Sequence, residues 1–388
     1  MGDISDKDAA MAWTRIAEGN DPYAVRFIES VGYVQAYQSV KDYCAGSRAP
    51  DGLETAIQRW AHRFNEDEFK HDKEKIDDIG GGFLYPHDEA WTQSFELLEN
   101  VTPLGLWYVG EKNLMRSRSV SIVGSRDCTE YGRSIAYDFA YELAENGISI
   151  VSGGAFGIDA AAHRGVLAVP SANDTGRPIV VFASGLGNYY PRGNKSLFEA
   201  IADSGGLFVS EYPPFSSPHR HRFLSRNRII AALGLATLVV EAPYRSGALS
   251  TAHHAVSIGR DVCVVPGSIY SPHSRGCHRL LREGALCVTT VKELVESLPQ
   301  WEYVDDFSEH TSPDAPSAMS LDKSDPMAGD PYAVRVRDGL CRQYGRSVDD
   351  VAREVGLSPR ETLSALAMLE MGGIAKNHGG RWVLSPDL

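Results

Sequence analysis

The chain has 388 residues, of which 43% are hydrophobic, and its mean hydropathy is -0.24. This length predicts two or three domains, and the composition excludes a chain that is disordered throughout. No run of about 18 apolar residues is present, which argues against a membrane span. The start, MGDISDKDAA, lacks the pattern of a secretory signal. Six scattered cysteines without a CxxC pair exclude a zinc ribbon and predict reduced thiols in a cytoplasmic protein.

The net charge of -13 is unevenly distributed along the chain. Residues 1–100 carry 10 Lys and Arg against 20 Asp and Glu, a net of -10, and residues 301–388 carry 9 against 15, a net of -6. Residues 101–300 carry 19 against 16, a net of +3. Since salt screens charges beyond about 8–10 Å, the local field decides what binds. The acidic total therefore does not exclude a polyanionic partner for the middle of the chain.

Residues 1–80 predict a small helical domain. Its short helices are interrupted by GNDP at 19–22 and by APDG at 49–52, and Trp13, Phe27 and Trp60 are candidates for its core. Three glycines at 80–82 form a predicted hinge or turn. The segments FLYP and LGLWYVG that follow read as strands leading into the next domain.

Residues 83–300 alternate short apolar runs with helical stretches. Runs rich in Val and Ile are typical of strands buried on both faces, and their alternation with helices predicts an α/β fold with an extended Rossmann-like, doubly wound, mostly parallel sheet. Ligands of such sheets bind outside the carboxyl ends of the strands. The predicted strands are 119–123, 148–152, 178–183, 207–210, 236–241, 261–265 and 285–288; the predicted helices are 132–146, 157–168, 193–203, 224–234, 247–259 and 276–284.

Glycine-bearing loops follow the first three of these runs. Glycines let backbone amides approach an anion, and an arginine can hold a phosphate with two hydrogen bonds. The alternative is a set of tight turns with surface arginines. Neither G-x-G-x-x-G nor a phosphate-loop spacing is present, so no nucleotide cofactor is expected. No metal site is expected either. The predicted phosphate-binding residues here are Gly124, Ser125, Arg126, Gly153, Gly154, Gly185, Gly187, Arg192 and Lys195.

The segment HRHRFLSRNRIIAAL at 219–233 is the densest basic stretch. Arginines beside an exposed aromatic residue suit single-stranded nucleic acid, because guanidinium groups follow the phosphates while the ring stacks on a base. A helix starting near Leu224 would leave Arg220 and Arg222 on a loop. The alternative is a core Phe223 with a solvated, salt-bridged arginine face. The predicted base-stacking residue is Phe223, and the further phosphate-binding residues are Arg220, Arg222, Arg226, Arg228, Arg245, Ser246, Gly247 and Arg275.

Three carboxylates in this domain have predicted structural roles. Asp159, in the first turn of a helix, is expected to brace the turn before it. Glu211 and Glu241 end two strands and are expected to brace arginines, although a pair of carboxylates could also serve as acid and base.

The loop motifs resemble those of the DNA-processing protein A family, DprA or Smf. They occur in order over about residues 83–298: GSR, SGGxxGIDxxAH, YPR, SEYPP, FxxRNRIIAAL, RSGALxTA and PGS…SRG…LLREGA. The resemblance implies a Rossmann-like, usually dimeric, cytoplasmic protein that binds incoming single-stranded DNA during natural transformation and helps load the recombinase RecA. It also implies a helical, SAM-like N-terminal domain, and it assigns DNA contacts to Arg126, Arg220 and Phe223. His253-His254 and Cys277-His278 depart from the family pattern.

The C-terminal part divides into a linker and a small module. Residues 302–329 contain seven acidic residues, one lysine and three prolines, which predicts a disordered acidic linker. Residues 330–388 read as helix, turn, helix and hairpin, with a capping box starting at Ser358 and a wing turn at 379–380. This pattern predicts a winged helix. Its second helix offers only Arg360 to a groove, which favours a protein contact or weak DNA contact over sequence-specific reading.

Three functions remain open at this point. The leading one is a non-catalytic single-stranded DNA-binding protein that protects incoming DNA and helps load RecA, with no cofactor and no membrane span. The alternative is an enzyme like the nucleotide phosphoribohydrolases, which share the fold, although a glutamate of their signature has no counterpart here. The third is a transcription factor that reads DNA through the winged helix.

Overall fold

The computed structural model describes residues 4–170, 174–299, 331–340 and 345–385. Contacts divide the chain into two compact units, Met1–Glu296 and Ser297–Leu388. The linker predicted at 302–329 lies outside the described residues.

Five helices open the first unit, which confirms the predicted helical segment; its likeness to a SAM domain stays a prediction. Side chains of Ser5, Asp21 and Asn65 cap three of the helices by accepting hydrogen bonds from backbone N–H groups of the first turn. Trp60 lies at the centre, edge-on to Trp13 at 5.1 Å. The helices are α1 (Asp6–Ile16), α2 (Pro22–Val31), α3 (Tyr33–Cys44), α4 (Glu54–Arg63) and α5 (Glu66–Asp78).

A nine-stranded sheet forms the centre of the first unit, in the order β1-β2-β6-β5-β4-β3-β7-β8-β9. The seven strands from β6 to β9 are parallel, whereas β1 and β2 add an antiparallel edge. This confirms the mostly parallel α/β prediction. The strands are β1 (Gly81–Leu84), β2 (Leu106–Gly110), β3 (Ser119–Val123), β4 (Ser149–Ser152), β5 (Pro178–Phe182), β6 (Leu207–Ser210), β7 (Ala236–Val239), β8 (Asp261–Val264) and β9 (Leu286–Cys287).

Helices connect the parallel strands and cover both faces of the sheet, so that every residue of β3, β5 and β7 is buried between them. The described residues of the first unit also form four 3₁₀ segments, Gln93–Val101, Lys112–Arg116, Arg192–Asn194 and Pro272–Ser274. The connecting helices are α6 (Glu130–Glu145), α7 (Ile158–Ala168), α8 (Lys195–Asp203), α9 (Arg220–Leu233), α10 (Gly247–Ser257) and α11 (Arg275–Arg282). Helix α12 (Val291–Ser297) follows the last strand.

The start of α9 differs from the sequence prediction. The helix begins at Arg220, not near Leu224, so Arg220 and Arg222 belong to its first turn. His219 precedes that turn without a side-chain capping bond. Contacts with other elements hold this end of the helix, which local sequence rules cannot anticipate.

The described residues of the second unit form three helices and a hairpin, as the winged-helix prediction requires. Ser358 and Glu361 form the predicted capping box, and Gly356 ends the preceding helix with a φ of 67°. Val351, Leu366 and Trp382 are buried in its core. The elements are α13 (Pro331–Asp338), α14 (Val348–Val355), α15 (Pro359–Met371), β10 (Ala375–His378) and β11 (Arg381–Leu384).

Candidate nucleic-acid interface

The predicted site lies at the carboxyl edge of the sheet, at the point where the strand order reverses. From β3 the chain proceeds to β4, β5 and β6, then returns to β7 beside β3 and continues to β8. A crevice opens outside such a switch point. The exposed basic side chains in the loops and first helical turns after these strands include Arg126, Arg192, Lys195, Arg220, Arg245 and Arg275. The five arginines form no ion pair with any residue in the described ranges, whereas Lys195 lies 3.6 Å from Glu199.

Arg126 and Phe223 meet at the centre of this edge. The guanidinium of Arg126 lies over the Phe223 ring, 5.0 Å from its centroid. Tyr190, whose side chain is exposed, meets the same ring edge-on at 5.7 Å. The half-buried Phe223 is therefore held from two sides while part of its surface faces solvent. The sequence prediction placed Arg126 and Phe223 in one site, and the structure brings them into contact.

A second exposed aromatic ring, Phe156, lies nearby and was missed by the sequence reasoning. Its ring packs against Gly193, where an added side-chain carbon would come within 2.9 Å of it. Asn194 joins the two loops by donating hydrogen bonds to the carbonyls of Gly154 and Ala155, at 2.9 and 3.1 Å. A search for aromatic residues inside the glycine-bearing loops would have found both Phe156 and Tyr190.

The aromatic surface continues on the other side of the switch point, after β7 and β8. Tyr244 is 48% exposed, with the Arg279 guanidinium 5.7 Å from its centroid, and Tyr270 is 89% exposed. The loops that carry these tyrosines both contact α11: the Gly276 N–H donates to the carbonyl of Ala242, and His278 hydrogen-bonds the carbonyl of Gly267. Exposed rings thus accompany exposed arginines along the whole edge.

The expectation that the glycine loops present free backbone amides to an anion is wrong for four N–H groups. The N–H of Gly153 donates to Asp159, that of Gly185 to the carbonyl of Ser216, and that of Gly187 to the carbonyl of Pro214. The Ser125 N–H donates to the carbonyl of Glu241, and the Ser125 hydroxyl bonds within its own turn, to Asp127. These groups build the loops, so they are already satisfied before any ligand arrives.

The glycines instead permit close packing. An added side-chain carbon at Gly153 would lie 2.6 Å from the Arg226 guanidinium, and one at Gly185 only 2.0 Å from the carbonyl oxygen of Pro213. Gly124 is similarly closed by Ile158 and the Glu241 carbonyl. Gly154 has a φ of 67°, which favours glycine for conformational reasons.

Three of the four arginines in the basic segment are buried, so their predicted role in holding phosphates is wrong. Arg228 is fully buried and forms a bidentate ion pair with Glu211, in which two guanidinium nitrogens each donate to one carboxylate oxygen. Arg222 is 5% exposed and pairs with Glu18 of the N-terminal segment. Arg226, also 5% exposed, donates to the carbonyls of Gly153 and Val181, and burial lowers its pKa to about 10. Only Arg220 of the four is exposed.

The carboxylates at the edge have structural partners. Asp159 accepts hydrogen bonds from the N–H groups of Gly153 and Ala155, which confirms the turn-bracing prediction; burial raises its pKa although Arg226 opposes the shift. Glu211 braces Arg228 as predicted. Glu241 does not brace an arginine: it accepts from the N–H and hydroxyl of Thr129, at 2.8 and 2.7 Å, and so fixes the start of α6.

The remaining predicted residues lie at the start of α10. Ser246 caps this helix by accepting from the Ala248 N–H, and Gly247 is exposed with open space beside it. Both lie next to the exposed Arg245. Their local geometry is compatible with contact to a ligand at the edge.

No helix among the described residues is long and apolar enough to cross a bilayer.

Two protein-family models match the chain. The model described as DNA recombination-mediator protein A matches residues 82–299, and a DprA winged helix domain model matches residues 326–381. The chain is 36% identical over 388 residues to a DNA processing protein DprA of Mycobacterium tuberculosis, covering 96% of this chain and 94% of that protein. It is 36% identical over 301 residues to protein Smf of Escherichia coli, covering 76% of each chain.

Two solved structures are similar as well. The X-ray structure of DNA processing protein A from Streptococcus pneumoniae has a TM-score of 0.63 and 29% identity, covering 77% of this chain and 99% of that one. A Helicobacter pylori DNA processing protein A, whose structure was reported for its single-stranded DNA binding mode, has a TM-score of 0.50 and 29% identity, covering 56% of this chain and 95% of that one.

Proposed function

This chain belongs to the DNA processing protein A family, and on that premise we propose that it binds single-stranded DNA along the carboxyl edge of its large sheet. The observation that carries the proposal is the contact of Arg126 with Phe223 at 5.0 Å, beside the exposed ring of Tyr190. A guanidinium and an aromatic ring at that separation can hold one phosphate and one neighbouring base together.

The exposed arginines supply the electrostatic part of binding. Arg126, Arg192, Arg220, Arg245 and Arg275 follow five different strands or their loops, so they line the edge instead of forming a single cluster. A phosphate backbone laid along the edge would meet them in succession, and each neutralised phosphate releases counterions. The buried Arg222, Arg226 and Arg228 contribute to this surface by holding its loops in place.

The aromatic residues explain a preference for single strands. A base can stack on Phe223, Tyr190 or Phe156 only if it is unpaired and free to turn outwards, which a duplex does not allow without melting. Stacking on a ring contributes about 1–3 kcal/mol per base and tolerates any sequence. We therefore expect binding with little base preference and a clear preference for single-stranded over duplex DNA.

The wider role follows from family membership. We propose that the protein acts as a homodimer in the cytoplasm, protects incoming DNA during natural transformation and helps load the recombinase RecA, without turnover chemistry of its own. Related proteins named DprA in Streptococcus pneumoniae and Bacillus subtilis support the DNA-processing part of this role. RecA loading is tested by strand exchange with purified RecA on DNA coated with single-strand-binding protein.

The phosphoribohydrolase alternative depended on Glu211 and Glu241 as an acid and base pair. Both are at most 6% exposed, and their oxygens are bonded to Arg228 and Thr129. No observation at the edge favours this second function. Release of a free base from a nucleoside monophosphate by the purified protein would revive it.

Arg126→Ala tests the proposed site. We expect it to weaken binding to a labelled oligo-dT, measured by fluorescence anisotropy, by about 1–3 kcal/mol, because a charge-assisted contact is lost. The slope of log K against log salt should become shallower by about 0.7 for each phosphate contact removed.

The matched control is Arg116→Ala. Arg116 is an exposed arginine that precedes β3 and therefore lies at the amino edge of the parallel strands. This variant removes the same charge and should retain the wild-type affinity. Equal losses in both variants, or wild-type protein that binds duplex as tightly as single strands, would contradict the proposed site.

A further inference from the structure

A buried carboxylate, Glu18, joins the N-terminal helices to the helix that begins at the proposed DNA-binding edge. Glu18 lies in the turn between α1 and α2, and its side chain is 4% exposed. It is more than 200 residues from Arg222 in sequence. The proposed function gave Glu18 no role, because it lies beneath the surface that would meet DNA.

Glu18 receives hydrogen bonds from two arginines on different elements. Arg222 of α9 donates through Nε at 3.1 Å and through Nη2 at 2.6 Å. Arg63, at the end of α4, donates to the same carboxylate through Nη1. Burial alone would raise the pKa of Glu18, but Arg222 and Arg63 hold it well below its usual range. His221 Nε2 lies 3.5 Å from Glu18 Oε2.

These contacts hold the first turn of α9 on its buried side. Arg222 also donates to the carbonyl of Ser217 at 3.0 Å, and its guanidinium lies 4.5 Å from the centroid of the Tyr212 ring. Arg220 and Phe223, the exposed arginine and the half-buried ring of the proposed site, belong to the same turn. Their positions therefore depend on where Arg222 is held.

The same N-terminal turn also packs closely against the end of β6. Gly19, next to Glu18, lies so close to the end of β6 that an added side-chain carbon would be 2.5 Å from Glu211 Oε2 and 2.9 Å from the Tyr212 hydroxyl. Glu211 is the partner of Arg228, two turns further along α9. The turn between α1 and α2 thus packs beside both ion pairs that anchor α9.

We propose that Glu18 is a positioning residue for single-stranded DNA binding: through Arg222 it holds the first turn of α9 in the geometry that presents Arg220 and Phe223. This inference rests on the proposed function. It gives the N-terminal helices a role at the site without any contact between them and DNA.

The test compares Glu18→Gln with Asp72→Asn in the full-length protein. Asp72 is a buried carboxylate of the same helical segment; it pairs with Arg15 at 2.7 Å and forms no hydrogen bond or ion pair with α9 within the described ranges. Oligo-dT affinity, urea unfolding and amide hydrogen exchange in the first turn of α9 are measured for both. We expect Glu18→Gln to weaken binding about two- to thirtyfold and to speed exchange in that turn.

Asp72→Asn should reduce stability without changing affinity or the exchange of α9. Equal loss of affinity in the two variants, or wild-type affinity and exchange in folded Glu18→Gln, would overturn the proposal. If Glu18→Gln does not fold, Glu18→Asp takes its place with the same expectation, since it keeps the charge but shortens the reach to Arg222. If the wild-type protein does not bind oligo-dT, the proposed function fails, and exchange in α9 still decides whether Glu18 holds this turn.

Discussion

Helix α9 of the first unit buries most of its basic side chains, whereas helix α15 of the second unit exposes apolar ones. The first ten residues of α9 include four arginines, yet three of them are buried among carboxylates and carbonyls. Helix α15 is the helix that would read DNA in a winged helix, yet Leu363, Met368 and Met371 are exposed on it, the last to 90%. Arg360 is the one basic residue in α15.

The contrast shows that a basic segment is not by itself a basic surface. A buried guanidinium needs partners, and α9 finds them in Glu211, Glu18 and a strand carbonyl, all of which lie outside the helix. The exposed positive charge at the carboxyl edge of the sheet comes from single arginines in several loops. Helix α15, by contrast, exposes apolar side chains.

The largest effect is expected from Arg228→Met, which sharpens the contrast within α9. Removing one partner of a buried ion pair leaves Glu211 uncompensated and should lower the free energy of unfolding by about 3–5 kcal/mol. Urea denaturation measures the loss. The control, Arg220→Met in the same helix, changes an exposed residue and should alter stability by no more than about 0.5 kcal/mol. Similar losses in both would show that Arg228 is not the anchor described here.

Phe223→Ala should have the next largest effect, on binding. Loss of the ring removes a stacking surface and the support for Arg126, and we expect affinity for oligo-dT to fall by about 1–3 kcal/mol. The control is Tyr137→Ala, which removes a partly exposed ring from α6 and should leave affinity unchanged. An unchanged affinity for Phe223→Ala would place base stacking elsewhere on the edge.

The smallest effect is expected from charges placed on α15. Leu363→Glu and Met371→Glu would repel a phosphate backbone if this helix contacted DNA. Because we assign DNA binding to the carboxyl edge, each should change oligo-dT affinity by less than about 0.5 kcal/mol. A tenfold loss in anisotropy titrations, with the winged helix still folded by circular dichroism, would break the comparison and assign DNA contact to α15.

Much of the fold could be predicted because its signals are local. Short Val-rich and Ile-rich runs alternating with helical stretches predicted every parallel strand within a few residues, and capping residues such as Ser358 marked helix starts. The start of α9 could not be predicted in this way. Its first turn has no side-chain cap, and contacts with Glu18 and Ser217 hold it.

The site was predictable in part. Arg126 and Phe223 follow strands whose carboxyl ends must share one edge, so their meeting follows from topology. The roles of the glycines could not be predicted because the sequence does not show which backbone amides already have hydrogen-bond acceptors. The N–H groups of Gly185 and Gly187, for example, donate to the carbonyls of Ser216 and Pro214.

The sequence by itself determined the order of strands and helices, the edge at which the loops gather and the family to which the chain belongs, because periodicity and loop motifs are properties of neighbouring residues. The tertiary structure alone decided which arginines face solvent and which are buried. That choice depends on carboxylates such as Glu18, which lie far away in sequence and reach α9 only when the chain is folded.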